Sequence, residues 1–325
     1  MSEHKRVLLT GITGFIGSHT ARALLADKHE VVALVRPSTP LTRLGDLKDR
    51  VTVVRLSLSD IAGLKQYLAG MRFDAIVHIG ALRGGRPGNR EVFHRVNVDA
   101  TEQLALHARA TGARFVFCSS VGVFGAIPCE LPAGDQSPRR HDTVYHSTKI
   151  EAEAIVQHQV LEGLNAVIIR PAITYGAGDD GFPLTLIKLV NRRMLLLPTS
   201  PVRIHLTEVG LLARAFTRVL STETSPGKAY IVADPEPVSL QALASAIHER
   251  LHGRPYPTSR LVSPRWFTLG ATISRKLKKD TWMARFELIS QHWFFDVEDT
   301  YHDLKLPHHK TMTEFMSLVD AFRRS

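Results

Sequence analysis

The segment YHSTK at 145–149 places a phenol, Tyr145, four positions before an ammonium, Lys149. Four residues make roughly one helical turn, so both side chains share a face, with Lys149 one turn further on. A phenol near a fixed positive charge can pass a proton to or from an oxygen atom. Both residue types are also common on helix surfaces, so the pair gains meaning only from its surroundings. A second chemical signal is TGITGFIGS at 10–18, where Gly11, Gly14 and Gly17 recur every third residue. Such a loop gives a tight turn, lets backbone N–H groups approach a pyrophosphate, and sets the anion at the positive end of a helix. A strand-to-helix turn that merely uses glycine is the plainer alternative.

These groups need elements to hold them. RVLLT (6–10), EVVALV (30–35), VTVVRL (51–56), DAIVHI (74–79), RFVFCS (114–119) and NAVIIR (165–170) are short, apolar and rich in β-branched residues. Amphipathic stretches such as SHTARALLADK and NVDATEQLALHARATG separate them. The alternation predicts βαβ units, hence an α/β fold with a doubly wound parallel sheet covered by helices on both faces. The glycine loop follows the first strand and opens the first helix. Beyond Arg170 the rhythm loosens, with one more strand and helix in KAYIVADPEPVSLQALASAIHERL. The expected division is a nucleotide-binding domain over 1–170, to which 206–234 returns, and an interleaved lobe of 171–205 and 235–325.

Bulk properties narrow the classes. The 325 residues are 44% hydrophobic and 22% charged, as in an ordinary globular protein. No run of about eighteen apolar residues is present, which argues against a membrane-spanning helix. Lys and Arg exceed Asp and Glu by 41 − 31 = 10, but they are scattered and match no nucleic-acid motif, so no nucleic-acid partner is expected. The sixteen histidines and the cysteines Cys118 and Cys129 form no metal-ligand spacing, so no metal is expected. Two cysteines and no apolar signal region predict a reducing cytoplasm.

With TGITGFIGS, HIGA (78–81), NVDAT (97–101), CSSVGVFG (118–125), YHSTK, RPAITYG (170–176) and RIHLTEV (203–209) in order, the chain resembles the extended short-chain dehydrogenase/reductase family from Val7 to about Lys305. The resemblance implies a Rossmann domain with a smaller C-terminal substrate lobe, and Tyr145 and Lys149 as the catalytic pair. It adds Ser120, five residues before Gly125, to orient the substrate oxygen, with Ser119 the competitor. It implies NADP or NAD as cofactor, held by Gly11, Thr13, Gly14, Phe15, Ile16, Gly17, Arg36, Ser57, Leu58, Ala81, Tyr145, Lys149, Pro171 and Ile173. Lys149 is expected to lower the phenol's pKa and to hold the nicotinamide ribose. Asn97 and Thr101 read as structural support, His78 as a hydrogen-bonded residue that shapes a turn, and Asp60 as a helix cap. Arg36, nineteen residues beyond Gly17, stands where an acidic residue would select NAD, so NADP is the preferred expectation.

Within the family, nucleotide-sugar enzymes tend to carry an Asn where this chain has Ile173, and an arginine-bearing diphosphate segment that it lacks. The chain looks closer to the 3β-hydroxysteroid dehydrogenase and dihydroflavonol reductase-like branch. That predicts a hydride-transferring oxidoreductase acting on an apolar small molecule. A nucleotide-sugar epimerase or dehydratase is the alternative, and a non-catalytic NADP-binding protein a third. Trp266, Phe267, Trp282, Phe286, Trp293, Phe294 and Phe295 are candidates to line an apolar pocket or simply to pack the lobe. The stretch 264–280, with Trp266, Ile273 and Leu277 on one stripe before a basic cluster, reads as a surface helix with a weak membrane contact as the alternative. A homodimer through 91–111 and 144–161 is expected by family analogy.

Overall fold

The structure, a computed structural model, describes residues 4–83, 89–276 and 286–324. Six strands occupy nearly the segments expected: β1 (Arg6–Thr10), β2 (Glu30–Val35), β3 (Thr52–Arg55), β4 (Ala75–His78), β5 (Arg114–Cys118) and β6 (Ala166–Pro171). β7 (Ile173–Tyr175), β8 (Leu197–Pro198), β9 (Arg203–Ile204) and β10 (Leu206–Glu208) follow, then β11 (Ala229–Val232), β12 (Val238–Ser239) and β13 (Leu261–Val262). The main sheet has seven strands in the order β11-β6-β5-β4-β1-β2-β3. Every pairing in it is parallel. The chain reverses direction across the sheet between β1 and β4, so the crevice at their C-terminal ends is the natural ligand position in such a fold.

Alternation along the strands divides two cores. Val7, Leu9, Val31, Ala33, Val77, Val116 and Ile169 face one side. Leu8, Val32, Leu34, Ile76, Phe115, Phe117 and Ile168 face the other. Both sets are apolar because both faces are covered, the condition for a parallel sheet. On the first face lie α1 (Phe15–Ala26) and α7 (Val209–Ser221), the latter through Leu212, Ala215, Phe216 and Val219. The second face is covered by α2 (Ile61–Ala69), α4 (Ala100–Thr111) and α5 (Val144–Leu161). A π-helical turn, Arg95–Asp99, joins α3 (Arg90–His94) to α4.

A third core builds the lobe from α6 (Phe182–Asn191), α8 (Leu240–His252) and the helix Thr311–Arg324, around Ile187, Val190, Leu243, Ile247 and Phe315. Two features depart from the expected boundaries. Val123, Phe124, Ile127 and Ala133, just after β5, belong to the lobe's core. Conversely, Leu304 and Leu306 pack in the sheet's core, and Thr300 donates to the Ile231 carbonyl of β11 at 2.7 Å. The chain therefore crosses between the two cores more often than a division at 235–325 allows. Burial drives each crossing, because these apolar residues find an unfilled part of the other core.

Of the aromatics proposed to line a pocket, Trp293, Phe295 and Phe267 are buried, with Trp293 and Phe295 inside the lobe's core, where packing accounts for them. Phe294 carries the Arg203 guanidinium 4.5 Å from its ring centre. Trp282 lies outside the described residues. The helix α9 (Pro264–Lys276) exposes Trp266 and Leu269. Leu277 and the basic residues after it also lie outside the described residues. Among the described residues no helix is long and apolar enough to cross a membrane.

Candidate active site

Tyr145 and Lys149 sit in the first turn and a half of α5, whose N-terminus Thr143 caps by accepting from His146 N at 3.1 Å. Tyr145 is half-buried and Lys149 buried. Lys149 Nζ donates to the Cys118 carbonyl at 2.7 Å and lies 4.8 Å from the centre of the Phe117 ring. An ammonium has three N–H donors, so two remain for other partners. Ser120 lies two residues beyond β5, and its hydroxyl accepts from Gly122 N at 3.0 Å, turning the chain into Val121–Phe124. That leaves its own hydrogen free to turn toward the Tyr145 phenol, whose pKa the Ser120 side chain lowers. Ser119, the competitor, is buried, and its side-chain oxygen has no partner among the described residues. The structure thus brings Ser120 to Tyr145, while Lys149 holds the end of β5 beside them.

Burial pushes the Tyr145 phenol well above its ordinary value, opposed by the Ser120 side chain and the charge of Arg83. Burial also lowers the pKa of Lys149 itself. A neutral phenol with a hydroxyl beside it is poised to donate a proton to a substrate oxygen.

Two further contacts fix α5. One turn beyond Lys149, Glu153 receives Arg170 in a bidentate pair at 2.8 Å for both bonds, and Arg170 also reaches Asp135 at 2.6 Å. Asn97, in the π-helical turn, donates to Thr148 Oγ1 at 3.0 Å and brackets Leu82, accepting from its N–H at 2.7 Å and donating to its carbonyl at 2.9 Å. The supporting role expected of Asn97 is what its hydrogen bonds describe. Glu153, Asp135 and Arg83 were not legible as neighbours, although the Lys149–Glu153 spacing of four was a usable signal.

His78 is buried between Thr10 Oγ1 at 2.7 Å and Thr101 Oγ1 at 3.0 Å. Thr101 spends its hydrogen on the Asn97 carbonyl at 2.7 Å, so it must accept from His78 Nε2–H. Nδ1 then accepts from Thr10, whose oxygen in turn accepts from Gly80 N at 2.9 Å. Burial holds the imidazole neutral, with its pKa lowered to about 3. His78 therefore shapes the turn after β4 and carries no free proton for chemistry.

The glycine loop fits a dinucleotide. A Cβ on Gly17 would lie 2.1 Å from the Gly11 carbonyl oxygen, and one on Gly11, at φ +82°, would lie 2.7 Å from Gly80 N. These two glycines close the turn onto α1 and β4. Gly14 is different: it is exposed, and the only atom near an added Cβ would be the Gly11 oxygen at 3.2 Å. The N-terminus of α1 has no side-chain cap, whereas Asp60, Thr143, Glu208 and Ser239 cap α2, α5, α7 and α8. Uncapped N–H groups and a bare Gly14 are what a phosphate requires. Thr13, Phe15 and Ile16 are half-buried around this loop.

The remaining expected contacts lie along the same edge. Arg36 is exposed at the end of β2, and among the described residues its guanidinium forms no ion pair. Arg55, not singled out from sequence, ends β3 beside it, donating to the Thr39 carbonyl at 2.8 Å and to that of Pro37. The Ser57 hydroxyl pairs with Ser59 at 2.8 Å, so it is spent on the turn leading to the Asp60 cap. Leu58 packs against Gly80, where a Cβ would come within 2.8 Å of it. Ala81 is half-buried beyond Gly80, and Pro171 is buried at the end of β6. Ile173, half-buried in β7, packs on the lobe's core. Among the described residues no group of three His, Cys, Asp or Glu side chains could hold a metal ion.

Known proteins resemble this chain in sequence and in fold. The chain is 27% identical over 308 residues to 2-alkyl-3-oxoalkanoate reductase of Stenotrophomonas maltophilia, covering 89% of this chain and 91% of that one. It is 30% identical over 295 residues to 3 beta-hydroxysteroid dehydrogenase/Delta 5-->4-isomerase of Mycobacterium tuberculosis, covering 83% and 76%. Its fold matches that of UDP-glucuronic acid 4-epimerase from Bacillus cereus in complex with NAD, with a TM-score of 0.74 at 17% identity over 98% and 99% of the two chains. Residues 7–231 match the profile of the NAD dependent epimerase/dehydratase family, and with that match, the seven-stranded parallel sheet and the glycine turn, the chain belongs to that family of NAD-dependent enzymes.

Proposed function

We propose that this enzyme transfers hydride between a nicotinamide dinucleotide and the hydroxyl/carbonyl carbon of a small, fairly apolar molecule. The observation that carries the proposal is the grouping of Ser120, Tyr145 and Lys149 at the end of β5, with the phenol held neutral by burial. When bound, the dinucleotide supplies or accepts the hydride. The chain's own groups then handle the oxygen. Ser120 steadies it by hydrogen bonding, and Tyr145 gives it a proton when a carbonyl is reduced. In the reverse direction the phenolate takes the proton of an alcohol. Lys149, with two donors uncommitted, is suited to hold the cofactor's ribose.

Arg36 supports a preference for NADP, since an exposed guanidinium at the end of β2, with no ion pair among the described residues, can pair with a 2′-phosphate. Arg55 adds a second positive charge at that corner. Ile173 supports the apolar-substrate reading, because a sec-butyl side chain packed on the lobe's core offers no donor to a diphosphate. The names of the two relatives, a 3-oxoalkanoate reductase and a steroid dehydrogenase, fit the same substrate class. The likeness to a sugar-nucleotide epimerase is one of fold.

A panel of carbonyl compounds, followed by loss of NADPH and NADH absorbance, tests the proposal. Turnover of apolar ketones or oxo acids with added cofactor is the expected outcome. Interconversion of UDP-sugars without added cofactor, or saturable UDP-glucose binding in calorimetry, would replace it with the epimerase reading.

A further inference from the structure

Between β7 and α6 the chain makes a short crossing that the chemistry so far leaves without a role. It opens at Gly176, with φ +143°, and passes Gly178 at φ +90°, two backbone shapes that favour glycine. The carbonyl of Ala177 accepts from His19 Nε2 of α1 at 2.9 Å. Gly178 lies against Phe15, where an added Cβ would sit 3.8 Å from the ring. The Asp179 carboxylate accepts from Gly181 N at 2.7 Å and Leu184 N at 2.9 Å, fastening the far end to the first turn of α6. Asp180 receives Arg83 Nη2 at 2.6 and 2.7 Å.

Arg83 comes from the opposite lip of the crevice, just beyond the turn after β4. Its backbone is held in place because Asn97 brackets the neighbouring Leu82 at both N–H and carbonyl. The crossing therefore runs over the uncapped first turn of α1 and is tied to the β4 side by the Arg83–Asp180 ion pair. That pair is exposed, with side-chain accessibilities of 48% for Arg83 and 56% for Asp180. Exposed pairs contribute little and are screened by salt. It can open without disturbing either core.

We propose that residues 177–180 form a strap over the dinucleotide groove, that the Arg83–Asp180 pair is its clasp, and that opening the clasp governs how fast the cofactor leaves. The proposal rests on the dinucleotide reading of the glycine loop. A weak clasp suits an enzyme that exchanges its cofactor every turnover.

The test is the release rate of NADPH or NADH, followed by stopped-flow fluorescence after mixing the loaded enzyme with excess competing nucleotide. Arg83→Ala should release cofactor about two- to fivefold faster, the scale of one exposed ion pair. Arg83→Asp should be faster still, and Arg83→Asp combined with Asp180→Arg should return toward the parent rate. High salt should bring the parent close to Arg83→Ala. A cysteine pair, Arg83→Cys with Asp180→Cys, should slow release when oxidised and recover on reduction. Unchanged release in Arg83→Ala, or an oxidised pair that releases as fast as the reduced one, overturns the clasp. A reversed pair as fast as Arg83→Asp alone also overturns it, since the guanidinium would then act on the cofactor directly and not through Asp180. If the parent bound neither cofactor, the dinucleotide reading itself would fall, an outcome distinct from the others.

Discussion

At the scale of single residues, the site separates proton transfer from charge placement. Tyr145→Phe removes the transferable proton and little else, so the rate should fall about 10²–10⁴-fold while NADPH binding, measured by fluorescence titration, stays near the parent value. Lys149→Ala should reduce both, because its ammonium is assigned to the cofactor and also holds the Cys118 carbonyl. A Tyr145→Phe variant with near-parental turnover would end the catalytic assignment. Since burial raises the phenol's pKa, the acid form persists through neutral pH. Carbonyl reduction should therefore be flat across neutral pH and fall only on the alkaline side. Arg36→Ala should weaken NADPH by about 1.5–3 kcal/mol, the scale of a hydrogen bond to a charged group, and leave NADH almost unchanged. Calorimetry with both cofactors checks this, and equal losses would show that Arg36 does not read the phosphate.

At the scale of elements, the turn after β4 depends on a histidine that must stay neutral. The folded pKa of His78, about 3, lies below its unfolded value of 6.5, so the unfolded chain binds the proton more readily. Stability is then complete above the unfolded value and declines as pH falls toward the folded one. The slope attributable to this residue is about 1.4 kcal/mol per pH unit. Denaturant melts from pH 7 down to 4, comparing the parent with His78→Gln, should show a shallower acid loss in the variant, and parallel losses would exclude His78 as the cause. Its role as a turn-shaping residue was legible because the family resemblance places HIGA where the fourth strand ends. β1 and β2 were legible to the residue, since buried parallel strands are continuous apolar runs. The π-helical turn at Arg95–Asp99 was not, because its sequence is compatible with an ordinary helix. Nor was the pairing of Arg170 with Glu153 and Asp135, whose partners come from separate segments. The lobe was least legible, as its short strands carry no period and its core draws residues from segments as far apart as Val123 and Val319.

At the scale of the whole molecule, α5 exposes Leu161, at 85%, and Val144 at its two ends and Ala154 between them, with Val92 exposed on α3. We propose that a second copy covers this face. Sedimentation should give twice the chain mass of 36.1 kDa, and Leu161→Glu should shift it toward one chain; a parent that sediments as a single chain would refute the assignment. A different consequence follows from Asp234, whose carboxylate is wholly buried at the end of β11. It accepts from Tyr175 and Thr311 at 2.8 Å each and from Glu208 N at 2.8 Å, and it pairs with His309 at 3.0 Å. His309 and Thr311 lie 75 and 77 positions further along the chain. A ribosome adding about 5–20 residues per second takes roughly 4–15 s to make that stretch. Until then the carboxylate lacks two of its partners and favours water, so the nascent lobe stays open while the strands already made can pair. Nascent chains halted between Asp234 and His309 should thus be cut by protease within the lobe, and chains halted beyond Thr311, with the tunnel cleared, should resist.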